Sequence, residues 1–372
     1  MAAMPPPPPP APRILTVGIE LEMAIFDGAT LEAIVGVLEG AGVDAKIGPY
    51  EKTDPPGLWR VTEDRTISTA EMDVRQGDHD EWDVAIAAFG FPPDTPEAPH
   101  PQRTKSPGSS SDEADPVSVA ASGDEMHDIP LLEDTISDEE STPLIAGPAL
   151  RAEIISPPFE DDQGPKTEQW LRDVREVVDA IKNCPYRSEV NRTTGLHVHV
   201  STSLLPGQGF TLEEVKKITA LYLVCEKKID KLHPKSRKNN SHAQSNVRYS
   251  TYTNRKAENR TQPAAKIFST DTLEELVKGT CPTREFLDDP EEGYTKYFKL
   301  NLAGLLDYHQ TIEWRQHMGT RSSRKACRWV AFILAFVRKA LEISEEELRE
   351  LSTNDEASIF DYPDLRLAFF GA

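Results

Sequence analysis

The sequence predicts an α+β fold, a β-sheet flanked by helices, and three observations predict it. Apolar runs carry charged or imidazole residues at every second position, the period of a strand with one polar face. Other stretches repeat their apolar residues at helical spacing behind capping residues. Neither GxxxxGK[ST] nor GxGxxG occurs, so the P-loop and dinucleotide-binding frameworks are excluded.

The elements follow in order. Val17-Gly18-Ile19-Glu20-Leu21-Glu22-Met23 reads as a strand with Glu20 and Glu22 on one face, about 6 to 7 Å apart as residues two positions removed must be. Residues 30–41 and 80–89 read as short helices and 58–68 as a strand region. Leu150-Arg151-Ala152-Glu153-Ile154-Ile155 reads as a strand stopped by Pro157 and Pro158. Residues 167–183 place Trp170, Leu171, Val174, Val177, Val178 and Ile181 at helical spacing, with Thr167 as the expected cap. In Gly195-Leu196-His197-Val198-His199-Val200-Ser201 both imidazoles fall on one strand face. Residues 211–232 form a helix opened by a Thr211/Glu214 capping box, and 323–341 a strongly apolar one. Between them 247–282 is polar and resists assignment. Thr311-Ile312-Glu313-Trp314-Arg315-Gln316-His317 completes the set, with Glu313, Arg315 and His317 expected on one face.

Composition sets bounds. The chain has 372 residues and 38% hydrophobic content, low for a fully packed globule, so part of it is expected to stay unfolded. Residues 92–146 hold 13 acidic residues against 2 basic ones, about half of the net charge of −21, and read as a disordered insertion within a single domain made of 13–91 and 147–372; a domain boundary here is the rival reading. Such a negative chain lacks the basic face that nucleic acid or an anionic membrane requires. Cys184, Cys225, Cys281 and Cys327 show no CxxC spacing and read as buried free thiols of a reducing compartment. The start of the chain has no signal-peptide pattern, and the longest apolar stretch, 329–337, is too short to cross a bilayer, so a cytoplasmic protein is expected. The proline run at 5–10, within a disordered tail 1–12, leaves two readings open: a polyproline II ligand for an SH3 or WW partner, or a flexible tail.

If the faces bearing Glu20, Glu22, Glu153, His197, His199, Glu313 and Arg315 line one cavity, four carboxylates converge, and like charges that close need compensation. Divalent cations supply it: glutamate oxygens suit Mg²⁺ or Mn²⁺, and an imidazole shifts the preference toward Mn²⁺ or Zn²⁺. Arg315 and the basic run 233–238, which contains Lys235 and Arg237, offer charges for phosphate. Each motif alone also has a bland reading. Glu-x-Glu on a strand is most often an exposed face, His-x-His is divided evenly between structural and ligand imidazoles, and Glu-x-Arg is more often an ion pair.

The ordered set Gly18-Ile19-Glu20-Leu21-Glu22, Trp59-Arg60-Val61 followed by Glu63-Asp64, Glu153-Ile154-Ile155-Ser156-Pro157, Gly195-Leu196-His197-Val198-His199-Val200 and Thr311-Ile312-Glu313-Trp314-Arg315-Gln316-His317-Met318-Gly319-Thr320 resembles the amidoligase family found in many fungal genomes. That family belongs to the carboxylate-amine ligase superfamily of glutamine synthetase and glutamate-cysteine ligase. The resemblance implies a glutamine-synthetase-like catalytic domain, a curved antiparallel sheet forming a partial barrel. It implies ATP and Mg²⁺ (or Mn²⁺) as cofactors, with small-molecule or peptide carboxylate and amine substrates. It makes Glu20 and Glu22 paired metal ligands, His197 the ligand of the metal on the ATP phosphates, and His199, Glu153 and Glu313 further ligand positions. Arg315 becomes the clamp on the transferred phosphoryl group, and Arg237 a phosphate contact. Trp314 stands where Phe is usual, and the insertion before Glu153 is long. Two other functions stay open: a metal-dependent hydrolase on the same Glu/His set, and a catalytically inactive relative that binds a nucleotide or a partner.

Overall fold

The longest alternating run of the chain becomes its central strand. A computed structural model describes residues 13–49, 51, 53–69, 149–202, 209–238, 240–253, 263–283 and 293–353. The tail 1–12, the helix expected at 80–89 and the acidic insertion 92–146 lie outside these residues. All the described residues fall in one unit, and within them nine strands form one sheet: β1 (Leu15–Ile25), β2 (Ala45–Ile47), β3 (Trp59–Glu63), β4 (Leu150–Ile155), β5 (Phe159–Asp161), β6 (Ser188–Glu189), β7 (Gly195–Ser201), β8 (Leu300–Asn301) and β9 (Ile312–Met318). Their order is β2-β3-β4-β1-β7-β9-β8, with β5 and β6 also pairing with β1. The expected sheet was antiparallel and barrel-like. The observed sheet is open and mixed, because β2 and β3 run parallel while the other pairs are antiparallel. Loop 48–58 is too long for a tight hairpin and returns the chain to the same end of the sheet.

The alternation of β1 divides the molecule. Leu15, Val17, Ile19, Leu21, Met23 and Ile25 are buried and share one hydrophobic core with Leu196, Val198, Val200, Ile312 and Trp314 of the neighbouring strands. Helix Pro165–Asn183 closes that core with Trp170, Val174, Val177, Val178 and Ile181. Helix Ser323–Glu342 adds Trp329, Phe332 and Phe336, the rings of Trp329 and Phe332 stacking with centroids 5.4 Å apart. Each such side chain contributes about 1.5–3 kcal/mol on burial, so the apolar face has a strong reason to stay covered. The other face of the same strands is left for polar chemistry.

Local signals account for the helices. Helix Leu31–Gly40 starts at Thr30, whose hydroxyl accepts from Ala33 N–H. Helix Leu212–Ile229 carries the Thr211/Glu214 capping box and passes into a 3-10 turn at Asp230–Leu232. Thr167 is not a cap. Helix Pro165–Asn183 begins with proline, whose absent N–H would be unpartnered there anyway, and Thr167 Oγ1 instead donates to Asp161 at 2.6 Å. The stretch 247–282 contains short helices, among them Leu273–Thr280 behind a Thr272/Glu275 capping box.

A bulge corrects the reading of β9. Leu196 faces His317 and Val198 faces Trp314, so two residues of β9 span one of β7. The extra residue turns the strand's alternation over: Glu313 and Arg315 face the polar side, whereas His317 is buried against His233 and Trp329, at ring-centroid distances of 5.2 and 5.3 Å. Burial holds His317 down to about 3. Gln316 also points into the helical layer. Its Nε2 donates to Asp230 at 2.6 Å and its Oε1 accepts from Tyr222 at 2.9 Å. Lys299 is fully buried there, with Nζ 2.6 and 2.7 Å from the Asp230 oxygens and 3.5 Å from Glu226.

Candidate active site

Antiparallel register brings the polar residues of four strands to one place. Glu20 faces His197, Glu22 faces Glu153, and His199 faces Glu313. Directly opposed side chains lie about 4.5–5.5 Å apart at Cβ, and opposed like charges such as Glu22 and Glu153 destabilise a sheet. Of these, Glu20, Glu22, Glu153, His199 and Glu313 line a cavity of about 1090 Å³ that also reaches Asp64, Asn301, Thr311 and Arg315.

Two groups of ligand-type atoms converge within it, each with its atoms within 4.8 Å of one another: Glu20, His199 and Glu313 in one, Glu22, Asp64 and Glu153 in the other. His199 Nε2 lies 3.0 Å from Glu20 Oε1 and 3.8 Å from Glu313 Oε1 without the alignment of a hydrogen bond, so this buried nitrogen has no hydrogen-bond partner. Its other nitrogen, Nδ1, meets Thr311 Oγ1 at 3.3 Å, which leaves Nε2 to face the carboxylates. His197, 2% exposed, sits between the groups, with Nδ1 3.1, 3.5 and 3.4 Å from oxygens of Glu20, Glu22 and Glu313.

The sequence places these groups by small local devices. Gly195 N–H donates to Glu22 Oε2 at 2.6 Å, and a Cβ on Gly195 would collide with the His197 ring, so glycine is required at this close approach. Asp64 ends β3 in a turn, accepting from Thr66 N–H and Oγ1 at 2.8 Å each. Glu313 accepts from Arg315 Nη1 at 2.5 Å and from Asn301 Nδ2 at 2.6 Å.

Electrostatics mark the site as short of positive charge. Burial pushes Glu153 up to about 9, and the charges of Glu20, Glu22 and Asp64 push in the same direction. Burial also raises Glu22, against the pull of His197 and Arg315. For Glu20 burial acts upward, but His199 and the bond from His197 outweigh it and hold the carboxyl well below its usual range. Burial would lower His199, yet Glu20 and Glu313 raise it to about 9. Burial would likewise lower Arg315, and Glu313, Glu22 and Glu20 keep it above the usual arginine range. Carboxylates, an imidazole nitrogen facing two of them and a carboxyl forced to keep its proton form a donor set that fits divalent cations.

The structure thus brings together Glu20, Glu22, Glu153, His197, His199, Glu313 and Arg315. It keeps Arg237 and Lys235 out of the cavity. Arg237 is 1% exposed and spends its guanidinium on the carbonyls of Arg192, Thr194, Arg315 and Gln316. The expected phosphate contact is therefore replaced by a brace under β7 and β9. Lys235 is exposed and does not line the cavity. No sequence motif assigns a role to Asp64, Asn301 or Thr311. Asp64 has a signal, an acidic residue just beyond the Trp59-Arg60-Val61 strand, and Thr311 heads the alternating run that holds Glu313; Asn301 is legible only through the pairing of β8 and β9.

No curated protein and no solved structure matches the chain. A family model described as "putative amidoligase enzyme" matches residues 13–337, a span that holds all nine strands and every residue of the cavity named above. The chain belongs to this amidoligase family, whose members are ligase-type enzymes.

Proposed function

We propose that the protein is an ATP-dependent carboxylate-amine ligase that forms an amide or peptide bond through an acyl phosphate. The observation that carries the reading is the pairing of two adjacent ligand groups with one cavity-facing arginine on a single sheet face. A carboxylate is a poor electrophile in neutral water. Its oxygen attacks the γ-phosphorus of ATP, ADP departs, and the amine then attacks the acyl carbon and expels phosphate while losing a proton. Glu20, His199 and Glu313 would hold one divalent cation and Glu22, Asp64 and Glu153 another, with His197 adjoining both groups. Such cations, Mg²⁺ or Mn²⁺, supply charge neutralisation for the phosphates.

The chain's own residues do the rest. Arg315 contacts the phosphoryl group in transfer, its charge fixed by Glu313, and the backing of Arg237 on its carbonyl keeps that part of β9 in place. The walls of the cavity limit water that would hydrolyse the acyl phosphate. The test incubates the full-length protein with ATP, Mg²⁺ and pools of amino acids while ADP is followed. ADP release that needs both a carboxylate and an amine supports the reading. Metal-dependent hydrolytic turnover without nucleotide binding overturns it in favour of a hydrolase.

A further inference from the structure

Beside the ligand groups stands a neutral side chain whose geometry is unusually constrained. Asn301, on the short strand β8, faces Glu313 in register, is 4% exposed and lines the cavity. Its Nδ2 donates to Glu313 Oε2 at 2.6 Å, and its Oδ1 accepts from Ala303 N–H at 2.9 Å. These two bonds determine the amide's orientation. A flipped amide would set oxygen against carboxylate oxygen and N–H against N–H, losing both.

We propose that Asn301 is a positioning residue that fixes which oxygen of Glu313 serves the cation, an inference that rests on the cation-site reading above. The terminal torsion of a glutamate is broad and nearly two-fold, so a carboxylate left alone exchanges its two oxygens. Here Oε2 is taken by Asn301. Oε1 receives Arg315 Nη1 at 2.5 Å and lies 3.4 Å from His197 Nδ1 and 3.8 Å from His199 Nε2. Glu313 therefore offers a single, predetermined oxygen to the group it shares with Glu20 and His199. Asn301 touches no reacting atom; it acts through Glu313.

The test separates this role from that of a turn residue. Asn301→Ser retains a hydroxyl able to accept from the N–H two residues on, as Asn301 does from Ala303, but is too short to reach Glu313. Asn301→Ala removes both contacts. Mn²⁺ binding to the full-length protein is titrated by electron paramagnetic resonance, with circular dichroism as the check on folding. Both variants should lose about 10- to 100-fold in affinity at one of two cation sites, the cost of losing a residue that orients a ligand. The other site should be unchanged. Wild-type affinity in folded Asn301→Ser, or an equal loss at both sites, overturns the proposal while leaving the cation reading intact. Absence of Mn²⁺ binding to the wild-type protein overturns both.

Discussion

Two clusters of buried charge lie on opposite sides of the same sheet, and they are built on different terms. In the helical layer, Lys299 meets Asp230 and Glu226, while Gln316, Ser245 and the Val247 N–H satisfy the remaining oxygens. Every charge there has a partner within the protein. Around the two ligand groups on the cavity face, the carboxylates of Glu20, Glu22, Asp64, Glu153 and Glu313 meet Arg315, His197 and His199. One cluster is completed by the protein's own hydrogen bonds and its lysine, and it serves the fold. The other is left electrically incomplete, which a protein tolerates where an external cation completes it.

Breaking the helical-layer cluster should have the largest effect. Lys299→Ala leaves the buried Glu226 and the half-buried Asp230 without their cation, a change expected to cost about 3–5 kcal/mol, measured by denaturant unfolding. Little loss of stability would mean that the two clusters do not differ as described. In the cavity the same kind of change should spare the fold and remove function. Glu313→Gln and Arg315→Ala should each lower amine-dependent ADP formation by about 10²–10³, the typical loss for a group acting on developing charge. Glu313→Gln should also weaken binding of the metal-nucleotide, whereas Arg315→Ala should bind it almost normally and fail in turnover. Wild-type turnover in both variants would make the Glu-x-Arg unit a structural ion pair.

A smaller effect sharpens the contrast. Glu153 holds its proton in the folded, cation-free protein up to about 9 but ionises near the ordinary carboxyl value when unfolded. A folded value raised above the unfolded one gives stability at low pH that is lost as pH rises toward 9. Glu153→Gln should therefore raise the melting temperature at pH 8 more than at pH 5, by differential scanning calorimetry without divalent cations. An equal shift at both values would remove like-charge crowding as the cause. Cation uptake should in turn release protons from Glu153 and His199, each held to about 9 beforehand. Binding should tighten with rising pH between about 6 and 9, and calorimetry in buffers of different ionisation enthalpy should register the release.

Much of the site was legible because alternation on a strand is a strict geometric code. Glu20 with Glu22, His197 with His199, and Glu313 with Arg315 could be assigned to faces from spacing alone, and antiparallel pairing brought those faces together. His317 broke the code because a bulge, invisible in the sequence, adds one residue to β9. Arg237 differs for another reason: a charge offered to phosphate by its place in a basic run is turned inward by tertiary packing onto backbone carbonyls. Asn301 meets Glu313 only through cross-strand pairing, which no local pattern encodes. The parallel placement of β2 was hidden likewise, since three residues carry too little alternation to announce a strand.

The most direct test is the number of cations the cavity takes up. Titration of the purified full-length protein with Mn²⁺ should give two bound ions per chain, with one lost in Glu313→Gln and the other in Asp64→Asn while both variants stay folded. No specific Mn²⁺ binding to the wild-type protein, or two ions retained in each variant, would contradict the assignment of Glu20, His199 and Glu313 to one cation and of Glu22, Asp64 and Glu153 to the other.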